Sequence, residues 1–118
     1  MGARVLKLAG SAAVFATLIA LPVQAAEPVR LTIKDHHFIP EQVTVTAGER
    51  FRIEVVNEDP TPAEFESSEL HVEKIVMGGG KISVFAGPLK PGTYGFFDDY
   101  HPDTTKGSVI AVAGQAKE

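Results

Sequence analysis

The chain has 118 residues, a net charge of −4 at neutral pH and no cysteine. The length sets a single domain as the starting point. The acidic balance argues against nucleic acid and anionic membranes as partners, since both are bound through a basic face. The missing cysteines exclude disulfides, thiolate metal sites and cysteine nucleophiles.

The first element is not part of that domain. Residues 1–25, "MGARVLKLAGSAAVFATLIALPVQA", open with Arg4 and Lys7, continue through an apolar run from Leu8 to Val23, and close on small residues. A charged start, an apolar middle and a small-residue end are the parts of a secretory signal peptide. Gly10, Ser11 and Thr17 interrupt the run and Pro22 ends it too early for a membrane span. The pattern predicts cleavage after Ala25 or Ala26, a mature domain over 26–118 with no span after processing, and export to the periplasm.

Beyond the leader the periodicity is two rather than 3.6. In "VRLTIKD" Val29, Leu31 and Ile33 alternate with Arg30, Thr32 and Lys34. "QVTVT" from Gln42 and "FRIEV" from Phe51 alternate in the same way, and "KISVFA", "TYGFF" and "GSVIAV" are further short strand-rich runs. Turn signals separate them: "IPEQ", "TAGER", "NEDPTP", "MGGGK" and "GPLKPG". "SSELHVEK" from Ser67 reads as one short helical turn with a serine cap. Met77, beside glycines, reads as core filling. This spacing predicts an all-β Greek-key β-sandwich of about seven to eight strands (by the usual spacing of such strands). In "LKPGTY", Tyr94 opens a strand just after a Pro-Gly turn, where a tyrosine hydroxyl commonly ties back to the backbone.

Taken together these stretches resemble a cupredoxin. "DHHFIPEQVTVTAGERFRIEVVNED" is similar to the first half of that family and "LKPGTYGFF…H…KGSVIAV" to the second. The resemblance implies a copper site built from His, Cys, His and Met. Here the first His place falls at Ala63 or Glu64, the Cys place at Asp98 and the Met place near Thr105 or Lys106; only His101 matches. Blue-copper electron transfer is therefore not expected. "PAEFESSEL" and "GPLKPGTYGFFDDYHPDTTKG" resemble, more closely, the EfeO-type cupredoxin-like domains of bacterial ferrous-iron uptake. Some of those carry a cysteine pair where this chain has Phe38 and Asp98. That resemblance implies a small separate periplasmic protein that binds a transition metal ion, Fe or Cu. It would bind or oxidise Fe(II) and pass it to an inner-membrane iron permease or a periplasmic iron-binding protein. Whether it is an enzyme stays open, and the alternative is a metal-free interaction module of the same fold.

The candidate ligands follow from these alignments. Along "YGFFD", Tyr94, Phe96 and Asp98 share one face, which brings Asp98 to the inner rim with His101 three residues on. Asp98 fits two roles: a metal ligand, or a cap for the turn that follows. Glu64 and Glu66 flank Phe65 and share the opposite face, on a strand whose end adjoins the closing loop in cupredoxins. If Phe65 is core they turn outward, as on the wet face of an edge strand, unless the strand twists at the rim. In "DHH", alternation places Asp35 and His37 on the inward face and His36 outward. The candidate metal set is thus Glu64, Glu66, Asp98, His101, Asp35 and His37, an oxygen and nitrogen set suited to Fe(II), Mn(II), Cu(II) or Zn(II).

Overall fold

The computed structural model describes residues 2–3, 10–19 and 27–114. The expected cleavage point at Ala25 or Ala26 lies outside them. Among the described residues no helix is long and apolar enough to cross a membrane.

Among the described residues nine strands form the domain: β1 (Val29–Lys34), β2 (His37–Ile39), β3 (Gln42–Thr46), β4 (Phe51–Asn57), β5 (Ala63–Ser67), β6 (Val72–Val76), β7 (Lys81–Ala86), β8 (Gly92–Asp98) and β9 (Lys106–Val112). They make a four-stranded sheet in the order β2-β1-β4-β7 and a five-stranded sheet in the order β3-β9-β8-β5-β6. The β1–β4 and β3–β9 pairs are parallel and the others antiparallel. Alternation sets the faces: Leu31 and Ile33, then Phe51, Ile53 and Val55, and Phe65, Phe96 and Val109 all point into the sandwich. Tyr94 donates its hydroxyl to the Lys90 carbonyl at 2.7 Å, the tie expected from its position.

Phe38, Phe65 and Phe96 meet inside one end of the sandwich. Their ring centroids lie 6.0, 4.9 and 5.4 Å apart, with edge-to-face or tilted contacts. Such pairs add specificity to plain burial. These rings are the apolar floor beneath the candidate site, since Phe38 follows the β1–β2 turn and Phe96 precedes Asp98 on the same face.

Three local expectations are corrected. The helical turn from Ser67 is instead the turn of a β5–β6 hairpin. The Ser67 hydroxyl does cap, accepting the Leu70 amide at 3.0 Å, but it also donates to the Gly95 carbonyl at 2.7 Å. The turn is thereby held against β8, and His71, at φ 57°, sends the chain back as β6. The second correction concerns "DHH". Asp35 and His36 both have positive φ, 50° and 58°, as the central residues of a tight hairpin turn require. The register then pairs Lys34 with His37 and Ile33 with Phe38. Alternation does not run through such a turn, so Asp35 and His37 are exposed and Phe38 takes the inward place. Third, Met77 is exposed rather than core.

Candidate metal centre

Asp98 sits at the end of β8, 1% exposed, as the alternation of that strand requires. A buried carboxylate needs partners, and it has three. Oδ1 accepts the amides of Glu64 (2.9 Å) and Tyr100 (3.0 Å), and Oδ2 lies 3.2 Å from Nδ1 of His101. Asp98 therefore caps the turn and fastens β5 to β8. The closing loop is drawn tight around it: the Asp98 amide donates to the Thr105 carbonyl, and the His101 amide to the Asp98 carbonyl.

On the other side of the same turn is a cluster of acids. Phe65 pairs with Asp98 and Glu66 with Phe97, and the Asp99 amide donates to the Glu64 carbonyl. Glu64, Glu66 and Asp99 consequently share the outer face, each offering an oxygen within 4.8 Å of the others. Glu73 lies across from Glu66 on β6. Partial desolvation raises the Glu64 carboxyl, and a hydrogen bond with Glu73 plus the charges of Glu73, Asp99 and Glu66 raise it further. Glu66 is raised by desolvation and then by Asp99 and Glu73. Tyr100 is raised by desolvation and by its neighbour Glu64. Of the expected ligands, then, the structure brings together Glu64 with Glu66 and, separately, Asp98 with His101. It turns Asp98 inward and puts Asp99 in its place. Given the Phe65–Asp98 register, the residues flanking Phe65 must meet the residue after Asp98, not Asp98 itself.

A third group lies at the rim, made by the β1–β2 turn and the closing loop. The rings of His36 and His101 are 4.1 Å apart and tilted by 33°. Behind His36 stands Asp59, 7% exposed, whose Oδ1 accepts the Asp35 amide (2.7 Å) and whose Oδ2 accepts the His36 amide (3.0 Å). Burial alone would raise Asp59, but these amides and the nearby His36 and His101 outweigh it and hold the carboxyl below its ordinary value. Asn57, fully buried, fixes the intervening chain by accepting the Asp59 amide at 3.0 Å and donating to the Thr61 carbonyl at 2.8 Å. His101 is thus at the rim as expected. Its partner ring is His36, which alternation had turned outward, and not His37.

A family model for the cupredoxin-like domain matches residues 7–111. The chain belongs to the cupredoxin-like domain family. It is 48% identical over 82 residues to Uncharacterized protein RP394 of Rickettsia prowazekii (strain Madrid E), a match covering 70% of this chain and 66% of that one. Among solved structures it resembles auracyanin A, a "blue" copper protein from Chloroflexus aurantiacus, with TM-score 0.65 and 14% identity over 73% of this chain and 98% of that one. It also resembles amicyanin from Paracoccus versutus, with TM-score 0.58 and 18% identity over 76% of this chain and 86% of that one. At such identities the likeness is one of fold. The residues of this cupredoxin-like domain do not fit a blue-copper centre. No thiolate exists in the chain, and the carboxylate at the cysteine place is committed to two amides and an imidazole.

Two outcomes follow. Asp98→Ala leaves the Glu64 and Tyr100 amides without their acceptor, so stability should fall by roughly 2–6 kcal/mol at about 1–3 per orphaned donor. Chemical denaturation measures it, and a loss under about 0.5 kcal/mol, the range of ordinary surface changes, would refute the cap. The second concerns pH. Glu64 and Glu66 are raised above 4.5, so the folded state holds their protons more tightly than the unfolded state does. Their contribution to stability therefore declines as pH rises from 4.5 through the raised native values. Melting temperatures across that window should show a shallower decline in Glu66→Gln; an unchanged profile would mean the acids do not repel one another.

Proposed function

We propose that this protein is an exported metal-binding accessory that holds a divalent cation on Glu64, Glu66 and Asp99, and not a blue-copper electron carrier. The observation that carries the reading is the convergence of three carboxylate oxygens within 4.8 Å of one another. Like charges so placed repel, and a cation relieves that repulsion. An all-oxygen set suits Mn(II) and Fe(II) better than Cu(I). Fe(II) is the cargo favoured by the resemblance of "PAEFESSEL" and the closing loop to domains of ferrous-iron uptake. The partner on that reading is an inner-membrane iron permease or a periplasmic iron-binding protein. The periplasmic location rests on the signal-peptide pattern of residues 1–25. An open, half-exposed oxygen site favours binding and release over tight storage.

Calorimetric titration with Mn(II), and with Fe(II) under anoxia, tests the site. One equivalent should bind, and Glu66→Gln and Asp99→Asn should each weaken it by more than about tenfold. Absence of binding at millimolar metal, or an affinity in both variants equal to that of the unaltered protein, would sink the proposal and leave a metal-free interaction module.

A further inference from the structure

The acidic face uses neither histidine of the rim. We propose that His36 and His101 form a second, separate metal site of nitrogen donors, taking a borderline divalent cation of the Zn(II) or Cu(II) class. The two rings come from distant parts of the chain and meet at 4.1 Å. Each has Nδ1 near a buried carboxylate: His101 makes a 3.2 Å hydrogen bond with Asp98 Oδ2, while His36 lies 3.7 Å from Asp59 Oδ2, too long for one. Both carboxylates are already anchored by two backbone amides apiece. A carboxylate facing Nδ1 favours the proton there, which leaves the lone pair on Nε2. That is the arrangement in which a histidine commonly binds a metal, with a carboxylate behind it fixing tautomer and ring orientation.

The local charge points the same way. Two buried carboxylates stand behind the two imidazoles and give the rim a negative side. A dication on the two Nε2 atoms would neutralise it without stripping the carboxylates from their amides. Both side chains stay partly open, 45% exposed for His36 and 37% for His101. Water can therefore complete the coordination. The backbone beneath the pair is held from several sides. Thr105, fully buried, donates its hydroxyl to the His36 carbonyl at 2.5 Å, and the Thr105 amide donates to the His101 carbonyl at 2.9 Å. Such support is what keeps ligands in place before the metal arrives. Imidazole donors suit Zn and Cu, whereas the outer face is all oxygen, so the two sites differ in preference as well as position.

The test is titration of the full chain with Zn(II), then electron paramagnetic resonance of the Cu(II)-loaded protein. Zn(II) affinity should drop by more than about tenfold in His36→Ala and in His101→Ala. It should be unchanged in His37→Ala, the exposed neighbour, and in Glu66→Gln. The Cu(II) spectrum should show coupling to two imidazole nitrogens, reduced to one in each single variant. Melting curves without metal show whether each variant is folded. For a variant that is not, His36→Asn or His101→Asn serves in its place. Affinity that follows Glu66→Gln instead of the histidines would place every cation on the acidic face and overturn the proposal. Equal Zn(II) binding in the folded histidine variants, or a Cu(II) spectrum without nitrogen coupling, would also overturn it. None of these results depends on whether Mn(II) or Fe(II) binds the carboxylates.

Discussion

One buried charge organises the end of this sandwich. Asp98 lies on the inner face of β8, where alternation leaves it no route to water, and it is 1% exposed. A charge placed there is tolerable only if hydrogen bonds replace its hydration. The bonds that do so reach three places: the start of β5 through Glu64, the closing loop through Tyr100, and the rim through His101. Each contact positions something else. The tie to Glu64 docks β5 on β8 and so sets Glu64 opposite Asp99. The tie to His101 aims its ring at His36. Both candidate metal groups are consequences of how one carboxylate is satisfied.

Asp59 does for the β1–β2 turn what Asp98 does for the closing loop. Its two oxygens take the amides of Asp35 and His36, the two residues that adopt positive φ. A left-handed pair of non-glycine residues is costly, and these bonds help to hold it. Asn57 in turn fixes Asp59. The Thr105 hydroxyl then joins the two loops by donating to the His36 carbonyl. The rim is thus a hydrogen-bonded frame between sheets rather than a pair of loose loops, which is why two half-exposed histidines can be held ring to ring.

Much of this was legible in the sequence, and the failures share a cause. Period-two alternation located the strands and the inward course of Phe96 and Asp98, while leaving open whether Glu64 and Glu66 face the rim or solvent. The Pro-Gly-Thr-Tyr signal located the tyrosine tie. Alternation failed where a turn resets it. "DHH" contains no glycine or Asn-Gly signal, so nothing local announced the tight turn at Asp35 and His36, and the inward role passed from His37 to Phe38. "SSELHVEK" has a helix-like cap, but the Ser67 hydroxyl is shared with a carbonyl of β8, a contact far off in sequence. The choice between Asp98 and Asp99 needed the β5–β8 register, which is tertiary information.

In this member of the cupredoxin-like family the resemblance sets the thiolate's place at Asp98, a carboxylate whose oxygens are spent on the fold. On the proposed reading, metal binding is displaced to either side of it, onto oxygen donors outside the sheet and nitrogen donors at the rim. The most direct test of that displacement is a crystal structure of the protein grown with Mn(II), examined by anomalous scattering at the manganese edge. The account predicts a peak bridging the carboxylates of Glu64, Glu66 and Asp99, with Asp98 still bonded to the amides of Glu64 and Tyr100. A peak bound to Asp98 in the interior, with those amides released, would contradict it.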